Sequence, residues 1–310
     1  MPSTSEPVRI VVAPAMRGAV VPAIREIPGV EVVAPDRDGV AAALRDAPVL
    51  VSVSWRDEYL VSSLRWVQSI SAGVEQFPAE ALAEAGVVLT SASGVHAPQV
   101  AEHAFALLLA MTRGIAEGVR HREAREWRRS ELHELRGRTI AVLGLGAIGE
   151  QIARIAAAFG MRVVGTKRQP EGYRGAAERV FPPDDTVAAC RMADVVVIAL
   201  PGGEATAGLV DREALAALGD GWLVNVGRGS VVDEEALVEA LTAGRLRGAG
   251  LDVFAVEPLP EESPLWDLPG VVMSPHCAGT SPRYGERLAG IVDANLRALR
   301  GEGPWVNRIV

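Results

Sequence analysis

Short runs of β-branched and other apolar residues alternate along the chain with Ala- and Leu-rich stretches whose polar positions fall at helical spacing. In the first third such runs lie at 8–13, 31–34, 49–53, 66–70 and 87–90. Helix-like stretches separate them at 20–27, 40–44, 59–64 and 79–85. Runs that are apolar throughout belong to strands buried on both faces, and strands joined through helices lie parallel. The segment 100–125 then reads as one long helix, because Ala104, Leu107, Leu108, Met111 and Ile115 recur at three- and four-residue steps. Pro98 suits its first turn. Such a helix can bridge two domains or serve as an ordinary core element. The alternation resumes with strands at 139–143, 161–165, 194–200, 222–226, 248–251 and 271–274. Helices are predicted at 150–159, 184–191, 212–218 and 234–243, with Asp211 and Asp233 placed as N-caps. A last helix at 284–300 has no strand after it and can fold back onto the first block.

Composition narrows the class. A chain of 310 residues is long for one domain, and 49% hydrophobic content supplies ample core. A formal charge of −8 argues against nucleic acid or an anionic membrane as partner. A local pocket can still oppose the global sign and take a small anion. Cys190 and Cys277 offer neither metal spacing nor a disulfide framework, so two reduced thiols in a cytoplasmic protein and no metal are expected. The polar segment 1–7 has no basic n-region or apolar h-region. The longest apolar runs, such as 104–111, are too short to span a bilayer.

The most informative stretch runs from Thr139 to Gly149, an apolar strand meeting Gly144, Gly146 and Gly149 in G-x-G-x-x-G spacing. Each glycine has a separate task. Gly144 permits a tight turn, Gly146 lets backbone approach a pyrophosphate, and Gly149 lets the following helix pack closely on its strand. The helix N-terminus then offers N–H groups and a positive dipole end to the phosphates.

Ligands of open parallel sheets bind beyond the carboxyl ends of the strands. Three polar residues sit there: Arg228 in NVGRGS, Glu257 before Pro258, and His276 in SPHCAG. An Arg can clamp a carboxylate with two N–H bonds. A His can give a proton to a carbonyl, and a Glu can orient the imidazole and favour its charged form.

At this point the residues resemble the D-isomer-specific 2-hydroxyacid dehydrogenases. The likeness runs through GLGAIG, VNVGRGSVVDEEAL, GLDVFAVEPLP and SPHCAG. It implies that Arg228 binds the substrate carboxylate, that His276 is the acid/base and that Glu257 pairs with it. The segment 71–75 resembles the family's substrate loop, whose backbone at Ala72, Gly73 and Val74 would also hold the carboxylate. By the same likeness Asp252 would lie near the nicotinamide carboxamide. The cofactor would be cradled by Gly144, Gly146, Ala147, Ile148 and Gly149. Thr166, Lys167, Arg168, Pro201, Thr206, Val226 and Gly227 would complete its surroundings. The implied fold is α/β with two doubly wound parallel-sheet domains. A discontinuous flavodoxin-like substrate domain would take 1–98 and 282–310, and a Rossmann cofactor domain 99–281. A homodimer is the implied assembly.

One departure from the family pattern bears on the cofactor. NAD-using members carry an acid after the second cofactor strand, where this chain reads Thr166-Lys167-Arg168, Lys167 being its only lysine. A carboxylate there would repel a 2′-phosphate and two cations would attract it. NADP is therefore expected as the preferred cofactor, with NAD possible. The expected activity is NADPH-dependent reduction of a small 2-oxo acid, such as glyoxylate or hydroxypyruvate, to a D-2-hydroxy acid. A dinucleotide-sensing corepressor-like binding protein and an NAD-dependent phosphoglycerate-type dehydrogenase stay open as alternatives. The last predicted helix ends about ten residues before Val310, which leaves no room for the regulatory domain often carried by the latter. Val53, Ser54 and Trp55 can line the substrate pocket, and Trp127 can reach a partner subunit or pack at a helix end.

Overall fold

A computed structural model describes residues 7–15 and 17–310. The polar segment read at 1–7 falls outside them but for its last residue. The chain divides into two compact units: one runs to His96 and resumes at Thr280, and the other spans Ala97–Gly279. In chain order the first contributes β1 (Val8–Val12), α1 (Arg17–Arg25), β2 (Val30–Val33), α2 (Val40–Leu44) and β3 (Val49–Ser52). It continues with β4 (Trp66–Ser69), α3 (Ala79–Glu84) and β5 (Val88–Thr90). The second unit opens with α4 (Ala97–Thr112) and α5 (Ile115–Ala124), then β6 (Thr139–Leu143), α6 (Ala147–Ala158), β7 (Arg162–Thr166) and β8 (Arg179–Phe181). After these come α7 (Thr186–Arg191), β9 (Val195–Ile198), α8 (Arg212–Leu218), β10 (Trp222–Asn225), α9 (Glu234–Thr242), β11 (Gly248–Leu251) and β12 (Val271–Met273). The last helix, α10 (Tyr284–Leu299), belongs to the first unit.

The first unit is a five-stranded parallel sheet in the order β2-β1-β3-β4-β5, a flavodoxin-like arrangement. Side chains alternate between its faces. Ile10 and Val12 of β1 meet α1 and α10 through Val20, Ile24, Leu288 and Val292. Val11 points the other way, into a core shared with Leu44 and Leu82 of α2 and α3. Fully burying each such side chain contributes about 1.5–3 kcal/mol. Tyr284, at the start of α10, donates its hydroxyl to the Ile70 carbonyl. The C-terminal segment covers the β5 edge, with an antiparallel bridge between Thr90 and Arg308 and Ile309 N–H donating to Leu89 O at 2.8 Å. Beneath it the buried Gln68 side-chain oxygen accepts from Thr90 Oγ1 (2.8 Å) and from Asn295 Nδ2 on α10 (3.1 Å).

The second unit is a seven-stranded parallel sheet in the order β12-β11-β10-β9-β6-β7-β8. The order reverses between β6 and β9, the switch point at which doubly wound sheets bind ligands. Ile140, Val142, Val195 and Val197 face α4 and α6, whereas Ala141, Leu143, Val196 and Ile198 face α7, α8 and α9. Both predicted caps form: Asp211 accepts from Ala214 N–H at 2.9 Å and Asp233 from Ala236 N–H at 3.0 Å.

Two local expectations are corrected, and one strand was unforeseen. The single helix at 100–125 is two helices, α4 and α5, because Gly114 adopts φ +65° and breaks the run. No residue of α5 is buried, so its apolar side chains do not extend the α4 face. The helix expected at 59–64 is only a 3-10 turn at Asp57–Tyr59. There Ser63 and Arg65 donate side-chain hydrogen bonds to the Leu44 and Ser62 carbonyls, competing with helical pairing. The short edge strand β8 was not anticipated.

Candidate active site

The glycine turn follows β6 directly. Gly144 has φ +98°, the left-handed side open to glycine, and its N–H donates to Thr166 Oγ1 at 3.1 Å. Leu145 N–H donates to Thr166 O at 2.8 Å, so the end of β7 holds the turn from the side. A Cβ on Gly149 would stand 2.0 Å from Gly144 O, which is how closely α6 approaches its strand. A Cβ on Gly146 would meet nothing within 4 Å, and Gly146 and Ala147 are exposed. The first helical bond, Glu150 N–H to Gly146 O, lies behind Ala147, Ile148 and Gly149, whose amides head the helix. This cradle fits a pyrophosphate.

The other predicted cofactor residues sit at the same edge of the sheet. Thr166 is buried and engaged with the turn. Lys167 donates from Nζ to Leu145 O at 2.8 Å, so it braces the glycine turn, while Arg168 stands exposed beside it. Beyond β9, Thr206 Oγ1 donates to Pro201 O at 2.7 Å and closes that loop. Beyond β10, Val226 is buried, and Asn225 accepts from Gly227 N–H and donates to Arg228 O, both at 3.0 Å. That double bond fixes the sharp exit from β10 and leaves Arg228 exposed, with Nη1 donating to Gly227 O at 2.7 Å.

Strands β10, β11 and β12 are neighbours, so Arg228, Glu257 and His276 follow consecutive strand ends. Glu257 and His276 meet: His276 Nδ1 lies 2.6 Å from Glu257 Oε2. The other oxygen of Glu257 accepts from Phe254 N–H at 3.0 Å. Partial burial pushes the Glu257 carboxyl up, but the His276 contact and the Phe254 amide outweigh it and hold the group below the usual carboxylate range. The contact is made through Nδ1, which leaves Nε2 as the ring nitrogen turned away from Glu257. A cavity of about 670 Å³ adjoins the pair, walled by Phe254, Leu259, Trp266 and Met273.

His276 has φ +50°, a conformation that costs a non-glycine residue on the order of 1–2 kcal/mol. Three successive amides pay for it by bonding one residue. His276 N–H donates to Asp252 O (2.8 Å), Cys277 N–H to Asp252 Oδ1 (2.9 Å) and Ala278 N–H to Asp252 Oδ2 (2.9 Å). Asp252 is 1% exposed, and it also accepts from Ser274 Oγ at 2.6 Å. Ser274 in turn lies 2.7 Å from Nε2 of His103 on α4. Ser274 and His103 thus join the surroundings of Asp252. His103, Asp252 and Cys277 bring a nitrogen, an oxygen and a sulfur within 4.8 Å of one another, which chain spacing did not foretell. The Asp252 oxygens already accept three donors, so the group is a hydrogen-bonded cluster.

The expected substrate loop lies in the first unit, beyond β4. Ser71 Oγ donates to Gly73 O at 2.7 Å and accepts from Gln76 Nε2 at 3.1 Å, which folds Ala72, Gly73 and Val74 into a tight bend. Gln76 also donates to Val53 O at 2.7 Å, tying in the segment after β3. Trp55 packs edge-on against Tyr59, with centroids 5.8 Å apart. Among the described residues no helix is long and apolar enough to cross a membrane.

Comparison with known proteins bears on this arrangement. D-3-phosphoglycerate dehydrogenase of Mycobacterium tuberculosis is 37% identical over 279 residues, 86% of this chain and 52% of its own. This chain thus spans about half the length of that relative. Glyoxylate/hydroxypyruvate reductase B of Pectobacterium carotovorum is 39% identical over 255 residues, 77% of each protein. The NADPH-dependent glyoxylate/hydroxypyruvate reductase of Sinorhizobium meliloti, solved with citrate, is 31% identical, covers 98% of both chains and superposes with a TM-score of 0.72. The sequence profile of the D-isomer specific 2-hydroxyacid dehydrogenase NAD binding domain matches residues 105–278, from the middle of α4 to the last amide clamped by Asp252. Glycine turn, strand-end residues and doubly wound sheet all fall within that match, and the chain belongs to the D-isomer specific 2-hydroxyacid dehydrogenase family.

Proposed function

We propose that the chain reduces a small 2-oxo acid to the D-2-hydroxy acid and prefers NADPH to NADH. The observation that carries this reading is the His276–Glu257 contact beyond β11 and β12, one strand from the exposed Arg228. The nicotinamide, when bound, supplies the hydride. Arg228 holds the substrate carboxylate in a two-bond fork. His276 carries a proton on Nε2 and delivers it to the substrate carbonyl oxygen. Glu257, ionised through neutral pH, holds the imidazole by Nδ1 and balances its positive charge.

The glycine turn seats the pyrophosphate, and Arg168 meets the 2′-phosphate while Lys167 keeps the turn in place. Relatives named for glyoxylate and hydroxypyruvate support a small substrate, and the phosphoglycerate-type reading stands as the second candidate. A screen of a dozen 2-oxo acids and 3-phosphoglycerate, each with both cofactors, separates them. Turnover of none would favour a dinucleotide-sensing role. We further propose a homodimer in the cytoplasm, formed through α5 and the segment after it. Ile115, Val119, Trp127 and Leu132 are exposed there. Sedimentation of the wild type and of Trp127→Ala reads the assembly.

A further inference from the structure

The reading above leaves the hydroxyl of Ser274 and the ring of His103 without a task. Their placement gives them one. Ser274 Oγ has a single proton, which it donates to Asp252 Oδ1 at 2.6 Å. The 2.7 Å contact between Ser274 Oγ and His103 Nε2 can then be a hydrogen bond only if Nε2 brings its own hydrogen. The chain then runs from His103 N–H to Ser274 and from Ser274 O–H to Asp252, whose Oδ1 also lies 3.5 Å from His103 Nε2. Hydrogen bonds aligned in one direction polarise and strengthen one another. At the far end Asp252 grips the amides of residues 276, 277 and 278.

We infer that His103 and Ser274 are positioning residues for the proton donor His276, acting through Asp252. The inference rests on His276 being the acid of the proposed reaction. His276 stands in a left-handed backbone conformation that relaxes unless its neighbours hold it. The Asp252 carboxylate supplies two of the three bonds that do so, and Ser274 shares the Oδ1 atom with Cys277 N–H. His103 reaches this point from α4, a 16-residue helix packed into the core of the second unit. The relay therefore ties the strand exit that carries His276 to a helix of the core. It makes no hydrogen bond to the side chain of Arg228 or of Glu257, so it acts on the site only through the placing of His276.

The test compares His103→Leu, His103→Gln, Ser274→Ala and the His103→Leu/Ser274→Ala pair on the full chain, with His276→Ala as reference. His103→Leu removes the donor, while Gln places an N–H near the position of Nε2. Expected are a fall in kcat of about tenfold for His103→Leu and Ser274→Ala, the size of one lost hydrogen bond, with KM for the 2-oxo acid little changed. His103→Gln should recover most of the loss, and the double variant should be no worse than either single one. The solvent deuterium isotope effect on kcat should rise in the impaired variants, because a misplaced acid makes proton transfer more limiting. Ser274→Ala carries the test by itself if His103→Leu does not fold. Wild-type kcat and isotope effect in Ser274→Ala, or a loss that Gln does not restore, would overturn the inference. If His276→Ala itself reduces 2-oxo acids at the wild-type rate, it is the proposed function that fails, and the relay has no acid to position.

Discussion

Adding one methyl group at two glycines three residues apart, Gly146 and Gly149, should have opposite consequences. In Gly149→Ala the new Cβ starts 2.0 Å from Gly144 O and 3.1 Å from a Val142 methyl. The Gly144 carbonyl has to retreat by about 1.4 Å to reach the 3.4 Å of an ordinary contact. Overpacking of this kind costs about 1–3 kcal/mol. The retreat also strains the two bonds to Thr166, each worth about 0.5–1.5 kcal/mol. Against this stands a gain of about 0.4–1 kcal/mol from replacing glycine in a helix. A net loss of roughly 2–4 kcal/mol should lower the melting temperature by roughly 5–15 °C in a unit of this size. In Gly146→Ala the methyl meets no atom within 4 Å, and φ −91° suits any residue. Thermal stability should be unchanged, yet the methyl occupies the surface on which a pyrophosphate would rest. NADPH affinity should fall at least about tenfold, a loss of about 1.4 kcal/mol. Calorimetric melting and titration with NADPH read both quantities. Wild-type NADPH affinity in Gly146→Ala would refute the placing of the pyrophosphate on this turn. An unchanged melting temperature in Gly149→Ala would refute the packing argument.

Arg228→Lys keeps the charge but loses the two-bond fork, so kcat/KM should fall roughly ten- to more than hundredfold; unaltered steady-state kinetics would remove Arg228 from the site. Glu257 titrates below the usual carboxylate range and is therefore charged wherever the reductase would work, so Glu257→Gln removes a charge that favours the imidazolium. The upper limb of the pH–rate profile for reduction should move to lower pH, and superimposed profiles would show that the two residues are uncoupled. Arg168→Ala should weaken NADPH selectively and less so at high salt, whereas Lys167→Ala should weaken both cofactors by loosening the turn. Lys167→Asp with Arg168→Ala should reverse the preference in kcat/KM, and a wild type favouring NADH would defeat the cofactor assignment. Burial, and then Asp211, push the Cys190 thiol up to about 12, so a thiol reagent should label only the half-buried Cys277 in the folded protein and both cysteines after unfolding; prompt labelling of Cys190 would contradict its burial.

The strands were legible because burial on both faces leaves runs such as Val195–Ile198 with no polar position to confuse the reading. Asp211 and Asp233 were legible as caps because their side chains act on amides three residues away. Gly114 was not, since apolar spacing continues across it while its backbone turns left-handed. β8 escaped because three residues at a sheet edge, with Arg179 exposed, carry too little pattern. The chemistry divides in the same way. Arg228, Glu257 and His276 announce themselves by following strand ends in a parallel sheet. His103 does not, because it lies 171 residues from Ser274 in sequence and its contact exists only after α4 packs against the sheet. A histidine beside the apolar stripe of α4 was the only trace it left. Lys167 shows the limit of reading charge from position: its ammonium is engaged with Leu145 O at the turn.

The way the first sheet is finished has a consequence for biosynthesis. Its α10 and the strand-like segment that covers β5 come from residues after Thr280, so their partners at the amino end must wait for them. A ribosome delivers Ala97–Gly279 as one uninterrupted stretch, able to close its own sheet as soon as it clears the exit tunnel. Until Tyr284–Leu299 has been made, Val20, Ile24 and β1 lack the helix that shields them, and Gln68 lacks Asn295. The nascent chain therefore matures from its middle outward, and its first sheet closes only once α10 has been made.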